Sequence, residues 1–161
     1  MAKVRPIPKG FHAITPSIVV KDAEKAIEFY KKAFGAKEIG RHYMPDGKRI
    51  VHADLKIGDS HLMMTDEIPE MQCVAPPAGG LRSSSLYLFV KNVDKVFDQA
   101  VKAGATPTMP VMDAFWGDRA GNLLDPFGHM WMIATRKRNL TAKQLKKAGE
   151  EFMASMGKAQ A

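Results

Sequence analysis

Along this chain the apolar positions alternate with polar ones and then switch to a helical period, and the switch happens twice. From Ile14 to Val20 the even positions are Ile, Pro, Ile and Val, with Thr15 and Ser17 between them. That two-residue period predicts a strand with one apolar face. Asp22 is placed to cap a following helix, on which Ala23, Ala26, Ile27, Tyr30 and Phe34 share one stripe before Gly35 stops it. The second occurrence has Leu86, Leu88 and Val90, then Asn92, then Val93, Val96, Phe97, Ala100 and Val101 up to Gly104. Three strand-like segments follow each glycine, at 36–44, 48–57 and 60–66 and at 106–112, 115–124 and 129–135. Pro45-Asp46-Gly47, Gly58-Asp59 and Asp125-Pro126-Phe127-Gly128 supply turns between them.

The two halves also match residue by residue. At an offset of 70, Val20 meets Val90, Lys21 meets Lys91, Asp22 meets Asn92 and Lys25 meets Lys95; Phe34 is one residue extra, and the offset returns at Gly47 with Gly117 and Gly58 with Gly128. Two copies of one unit is the economical explanation. The expected fold class is therefore α+β: one βαβββ module over 11–66, a Pro- and Gly-rich linker over 67–82, a second module over 83–136 and a helical tail over 137–161. One helix shields only one face of its sheet, so the uncovered faces must meet each other or a ligand. In the tail, Thr141 and Gln144 form a capping box, Leu140 and Leu145 are spaced as a hydrophobic staple, and Leu145, Ala148, Phe152 and Met156 make an apolar stripe. That stripe needs a surface to cover it, on the body or on a second subunit.

Composition narrows the function. The chain has 161 residues, 45% apolar and 25% charged, which is ordinary for a globular protein. No apolar stretch follows the basic N-terminal residues and none reaches membrane-spanning length, so neither secretion nor membrane insertion is expected. Cys73 is the single cysteine, which excludes an intramolecular disulfide and points to a reducing, cytoplasmic setting. The net charge of +7 is uneven: from Arg136 onward seven Lys or Arg stand against two Glu, leaving seventeen against fifteen in the body. No aromatic residues alternate with the tail's charges, so it reads as a solvated helix face and nucleic acid is not an expected partner.

Ile-Val-Val-Lys-Asp-Ala-Glu-Lys-Ala-Ile-Glu-Phe-Tyr (18–30), Gly-Asp-Ser (58–60), Gly-Asp-Arg (117–119) and Asp-Pro-Phe-Gly-His (125–129) together resemble the vicinal-oxygen-chelate superfamily of glyoxalases, bleomycin resistance proteins and dioxygenases, and within it the PhnB-like group. The resemblance covers residues 11–136. It implies paired modules whose mixed sheets curl into a cup around a small molecule. It also implies, in metal-dependent members, one ligand from the first and one from the last strand of each module. The corresponding positions are Thr15 and Ser85 on the first strands, Met132 on the last strand of the second module, and Leu62 or Met64 on that of the first. Hydroxyls and thioethers are poor ligands for Ni, Zn, Mn or Fe(II), so no metal in the standard site and no cofactor are expected.

His52 and Asp54 alternate on one strand face and are candidates for a displaced metal or acid–base pair, or for a plain hydrogen-bonded pair beside the sheet. His129 reads as a strand-end residue, and no role follows for His12, His42 or His61. The expected ligand-binding wall comprises Thr15, Ser17, Ser85, Tyr87 and Phe89 with Met64 and Met132 as adaptable surface. Phe115 and Trp116 are candidate lid residues. Arg119 is either an anion binder or one half of a structural ion pair. No catalytic residue is assigned. The expected function is small-molecule binding without the standard divalent ion; the alternative is a metal-dependent lyase, isomerase or dioxygenase with displaced ligands. A cationic drug of the bleomycin type would call for an acidic cleft, which a basic chain does not suggest. A methyltransferase would need a glycine-rich nucleotide loop after a strand, and none occurs. A homodimer is expected from the tail's unpartnered stripe.

Overall fold

The computed structural model describes residues 4–77 and 83–159, with side chains through Met156; linker residues 78–82 and the last two tail residues lie outside the described residues. In chain order come β1 (Ser17–Val20), α1 (Ala23–Phe34), β2 (Lys37–Tyr43), β3 (Ile50–Ile57), β4 (Ser60–Asp66), a short 3-10 turn (Pro69–Met71), β5 (Ser85–Phe89), α2 (Val93–Ala103), β6 (Thr106–Asp113), β7 (Asp118–Leu124), β8 (Met130–Arg136) and α3 (Ala142–Ala159). The strands form two open four-stranded sheets in the orders β1-β4-β3-β2 and β5-β8-β7-β6. The β1/β4 and β5/β8 pairs are parallel and the remaining pairs antiparallel. This is the α+β architecture of paired βαβββ units plus a C-terminal helix. No helix among the described residues is long and apolar enough to cross a membrane.

The duplication holds at the level of single hydrogen bonds. Asp22 accepts from Lys25 N and Asn92 from Lys95 N, both at 3.0 Å, satisfying a first-turn amide of each helix. Gly35 and Gly104 end the helices in the left-handed conformation. Asp66, at the end of β4, accepts from Ala23 N at 2.7 Å, and its counterpart Thr135 accepts from Val93 N at 2.9 Å. In β7, a Cβ on Gly121 would stand 2.7 Å from the Phe97 ring. The absence of a side chain there is what lets α2 lie close on its sheet.

Three strands start later than their alternation suggests. Ile14 is 88% exposed rather than packed, because Pro16 has no amide to donate and only its carbonyl joins the ladder, accepting from Met63 N at 3.0 Å. Before β3, the Asp46 carboxylate captures Lys48 N and Arg49 N and holds them in the turn. Before β7, Gly117 N bonds Ala114 O at 3.1 Å, closing a turn where strand was expected. The tail starts as expected: Thr141 N donates to Gln144 Oε1 at 2.9 Å, and Gln144 N donates to Thr141 Oγ1 at 3.3 Å. Its stripe is only partly covered, with Phe152 stacked on Phe115 while Leu145 and Met156 stay exposed.

Both helices and the helix-covered faces of both sheets share one core, which includes Ile27, Leu55 and Met64 from the first module and Phe97, Leu123 and Ile133 from the second. At its centre Asp125, 3% exposed, accepts four hydrogen bonds. Its Oδ1 takes Phe127 N (2.9 Å) and His129 N (2.8 Å); its Oδ2 takes Tyr30 Oη from α1 (2.6 Å) and Trp131 Nε1 from β8 (2.9 Å). Burial, and then the neighbouring Asp125 charge, push the Tyr30 phenol well above its ordinary pKa, so it stays a donor. Around this node Phe29, Tyr30, Phe34, Phe127 and Trp131 pack ring against ring. Gln99 Nε2 of α2 closes the α1 C-terminus by donating to Lys32 O and Ala33 O. Asp125→Ala strands these buried donors and is expected to lower the unfolding free energy by roughly 3 kcal/mol or more, against about 1–2 kcal/mol for Tyr30→Phe, both read by urea denaturation.

Candidate functional site

The strand registers decide which side chains lie on the uncovered faces. Ser17 pairs with Met63 in the first module and Tyr87 with Met132 in the second. Met63 is therefore the counterpart of Met132, and neither Leu62 nor Met64 is: both point into the helix-covered core, at 4% and 1% exposure. Met64 thus leaves the expected ligand wall. The shift arises because a two-residue turn joins β3 to β4, whereas five residues join β7 to β8, so no constant offset can align the last strands. The positions where the superfamily resemblance implies metal ligands are then Thr15, Ser85, Met63 and Met132. Their hydroxyl and thioether groups do not suit a borderline or hard divalent ion. Among the described residues no group of three His, Cys, Asp or Glu side chains is arranged to hold a metal ion.

His52 and Asp54 do lie on one face of β3, but they are not partners. Both Asp54 oxygens face His61 Nδ1 from β4, at 2.8 and 3.0 Å. The His61 ring stacks under Phe11 at a centroid distance of 3.9 Å, while His52 lies beside His42 at 6.3 Å. The pair was legible in principle. With a two-residue turn, Lys56 falls opposite His61 and Asp54 opposite Met63, which puts His61 on the diagonal from Asp54 on one face. The displaced-ligand reading of His52 with Asp54 loses its carboxylate to this contact.

In the second module a buried carboxylate organises the aromatic candidates. Asp118, 2% exposed, accepts from Tyr87 Oη and Trp116 Nε1 through Oδ2, each at 2.9 Å, and its Oδ1 lies 2.9 Å from Arg136 Nε. Burial raises the Tyr87 phenol above its ordinary pKa. Trp116 is held by this bond and Phe115 stacks on Phe152; both line a separate groove of about 270 Å³ together with Met109 and Met112, away from β5. Arg119 points to the helix-covered side, where its guanidinium meets Asp94 of α2 at 2.7 Å and Asp113 at 3.5 Å. This geometry makes it one half of a structural ion pair.

A cavity of about 590 Å³ runs along β5. The chain entering β1 (12–16) and the β3–β4 turn region (57–62) bound its other side. It gathers Thr15, Ser85, Tyr87 and Phe89 from the expected wall, together with His61. Ser17, His52, Asp54, Phe115, Trp116, Arg119 and Met132 do not line it. Leu62, Leu86 and Trp131 give it apolar surface, and Thr15, Ser60 and Ser85 supply hydroxyls. A volume of this size, mostly apolar with a few polar groups, suits a small organic molecule.

Comparison with known proteins agrees with this architecture. The family model described as Glyoxalase/Bleomycin resistance protein/Dioxygenase superfamily matches residues 10–133. An uncharacterised protein of Mycobacterium bovis is 40% identical over 139 residues, covering 84% of this chain and 91% of its own. Among solved structures, TioX from Micromonospora sp. ML1 superposes with a TM-score of 0.62 at 26% identity, over 78% of this chain and 98% of its own. The PhnB protein from Bacillus cereus gives 0.60 at 19% identity, over 77% and 99%.

A double-mutant cycle separates the two pairings of Asp54. Asp54→Asn with His61→Ala is expected to show a coupling of roughly 1–2 kcal/mol in urea unfolding, and Asp54→Asn with His52→Ala less than about 0.5 kcal/mol.

Proposed function

This chain belongs to the glyoxalase/bleomycin resistance protein/dioxygenase superfamily, and from that premise we propose that it holds a small organic molecule in the cavity along β5 without the divalent ion used by metal-dependent members. The observation that carries this reading is the cavity of about 590 Å³ between the two modules, coupled with hydroxyl and thioether groups where chelating side chains would be needed. A molecule there would lie between apolar walls, with Thr15, Ser85 and the Tyr87–Phe89 ring pair (centroids 4.8 Å apart) within reach. Of the ligand sites named from sequence these four line the cavity, and His61, given no role from sequence, joins them in this reading. His61 adds a side chain whose Nδ1 is held by Asp54, which leaves Nε2 as the ring atom outside that contact.

A homodimer and a cytoplasmic location belong to the same proposal. The first is supported by the exposed Leu145, Met153 and Met156 on α3, the second by the single thiol of Cys73. In an NMR screen of neutral drug-sized fragments, binders are expected to shift the amide signals of Thr15, His61, Ser85 and Tyr87. Ser85→Trp, which fills the cavity from an exposed position, is expected to weaken them about tenfold or more with little change in melting temperature. Binders that shift only signals outside this set would refute the reading.

A further inference from the structure

The chemistry that the β5 cavity recognises follows from comparing it with its own duplicate; this rests on the cavity reading above and goes a step past it. Both β1 and β5 stand at the edge of a sheet, so each has a row of main-chain groups without a strand partner. The parity of those rows is fixed by observed bonds. Met63 N bonds Pro16 O and Glu67 N bonds Val20 O, so the even-numbered residues of β1 address β4, and the N–H and C=O groups of Ser17 and Val19 face the free side. In the second module Val90 N bonds Ala134 O. Leu86 and Leu88 therefore address β8, and the main-chain groups of Ser85, Tyr87 and Phe89 face outward.

Val19 and Phe89 occupy equivalent places, yet the two edges are treated differently. At Val19 the edge is closed by His129, the residue just before β8, whose Nε2 donates to Val19 O at 2.9 Å. A recess of about 360 Å³ remains near that junction, between linker residues 74–77 and His129. By the strand registers, the first-module counterpart of His129 is Ser60. Its hydroxyl is too short to bridge a comparable gap and turns instead to Asp59 Oδ1 at 2.9 Å. Where the closing histidine would stand lies the larger cavity, with Asp59 and Ser60 on one wall and Ser85, Tyr87 and Phe89 on the other.

We infer that the cavity takes a short, extended, amide-bearing organic molecule that pairs with the free main-chain edge of β5 as an added strand. A ligand with alternating N–H and C=O groups satisfies the outward amides of Ser85, Tyr87 and Phe89, while its alternate side groups meet the exposed apolar lining at Ile14 and Phe89. At roughly 3.3 Å per residue, the five residues of β5 span on the order of 17 Å, which suits a capped di- or tripeptide in length.

The test uses the full chain and two probes, N-acetyl-leucyl-leucine N-methylamide and the analogue whose central amide is an ester. Calorimetry and amide NMR are expected to show the all-amide probe binding with shifts at Ser85, Tyr87 and Phe89, and the ester binding roughly three- to tenfold more weakly for the lost hydrogen bond. Ser60→His, which restores the closing donor at an exposed turn, is expected to weaken the all-amide probe about tenfold. Equal affinity for both probes would overturn the added strand and leave the cavity reading standing. Absence of binding by either at millimolar concentration would overturn the inference, while the cavity reading stands or falls with the fragment screen. A dimer that falls to monomer as the all-amide probe saturates would assign the edge to a second copy of the chain and overturn the inference.

Discussion

A single buried carboxylate fixes how the two modules sit on each other. Asp125 takes its own turn amides on one oxygen and, on the other, a hydroxyl from α1 and an indole from β8. Leaving any of these donors without an acceptor in the core would cost more than the bond itself contributes, so the helix-covered faces have one mutual arrangement. The rest follows geometrically. The uncovered faces remain accessible, with Tyr87 and Phe89 44% and 57% exposed, and the two sheet edges β1 and β5 are each brought beside the opposite module's hairpin.

This gives the motifs of the resemblance a physical meaning. Phe29 and Tyr30 and the run from Asp125 to His129 are its most recognisable parts, and they are spent on architecture. The aromatics fill the core, the aspartate ties α1 to β8, and His129 closes the edge of β1. Membership of the glyoxalase, bleomycin resistance protein and dioxygenase superfamily therefore says a great deal about the fold and little about the ligand. The proposed ligand contacts lie at positions outside those motifs: Thr15, His61 and the outward groups of β5.

The difference between what sequence disclosed and what it hid follows the same division. Local features were legible because their causes are local: Asp22 and Asn92 cap, Gly35 and Gly104 terminate, and Thr141 boxes with Gln144. Alternation placed Tyr87 and Phe89 on the uncovered face correctly. It failed for Ile14, where Pro16 removes a ladder donor, and for Met64, where turns of unequal length slide β4 against its duplicate. Arg119 was ambiguous because its partner, Asp94, lies 25 residues away on another element. His61 was passed over because its carboxylate is on the neighbouring strand, reached only once the register is written out. Which of two equivalent edges is open could not be read from the chain, since it depends on the reach of one side chain across a junction.

The proposed function turns on this member of the superfamily working from hydroxyl, imidazole and main-chain groups and not from a bound ion. Native mass spectrometry of the chain purified without chelator tests it most directly. The account predicts the mass of the chain alone, or with a small organic adduct, and no stoichiometric divalent metal. One equivalent of Ni, Zn, Mn or Fe per chain, lost in His52→Ala, would contradict it.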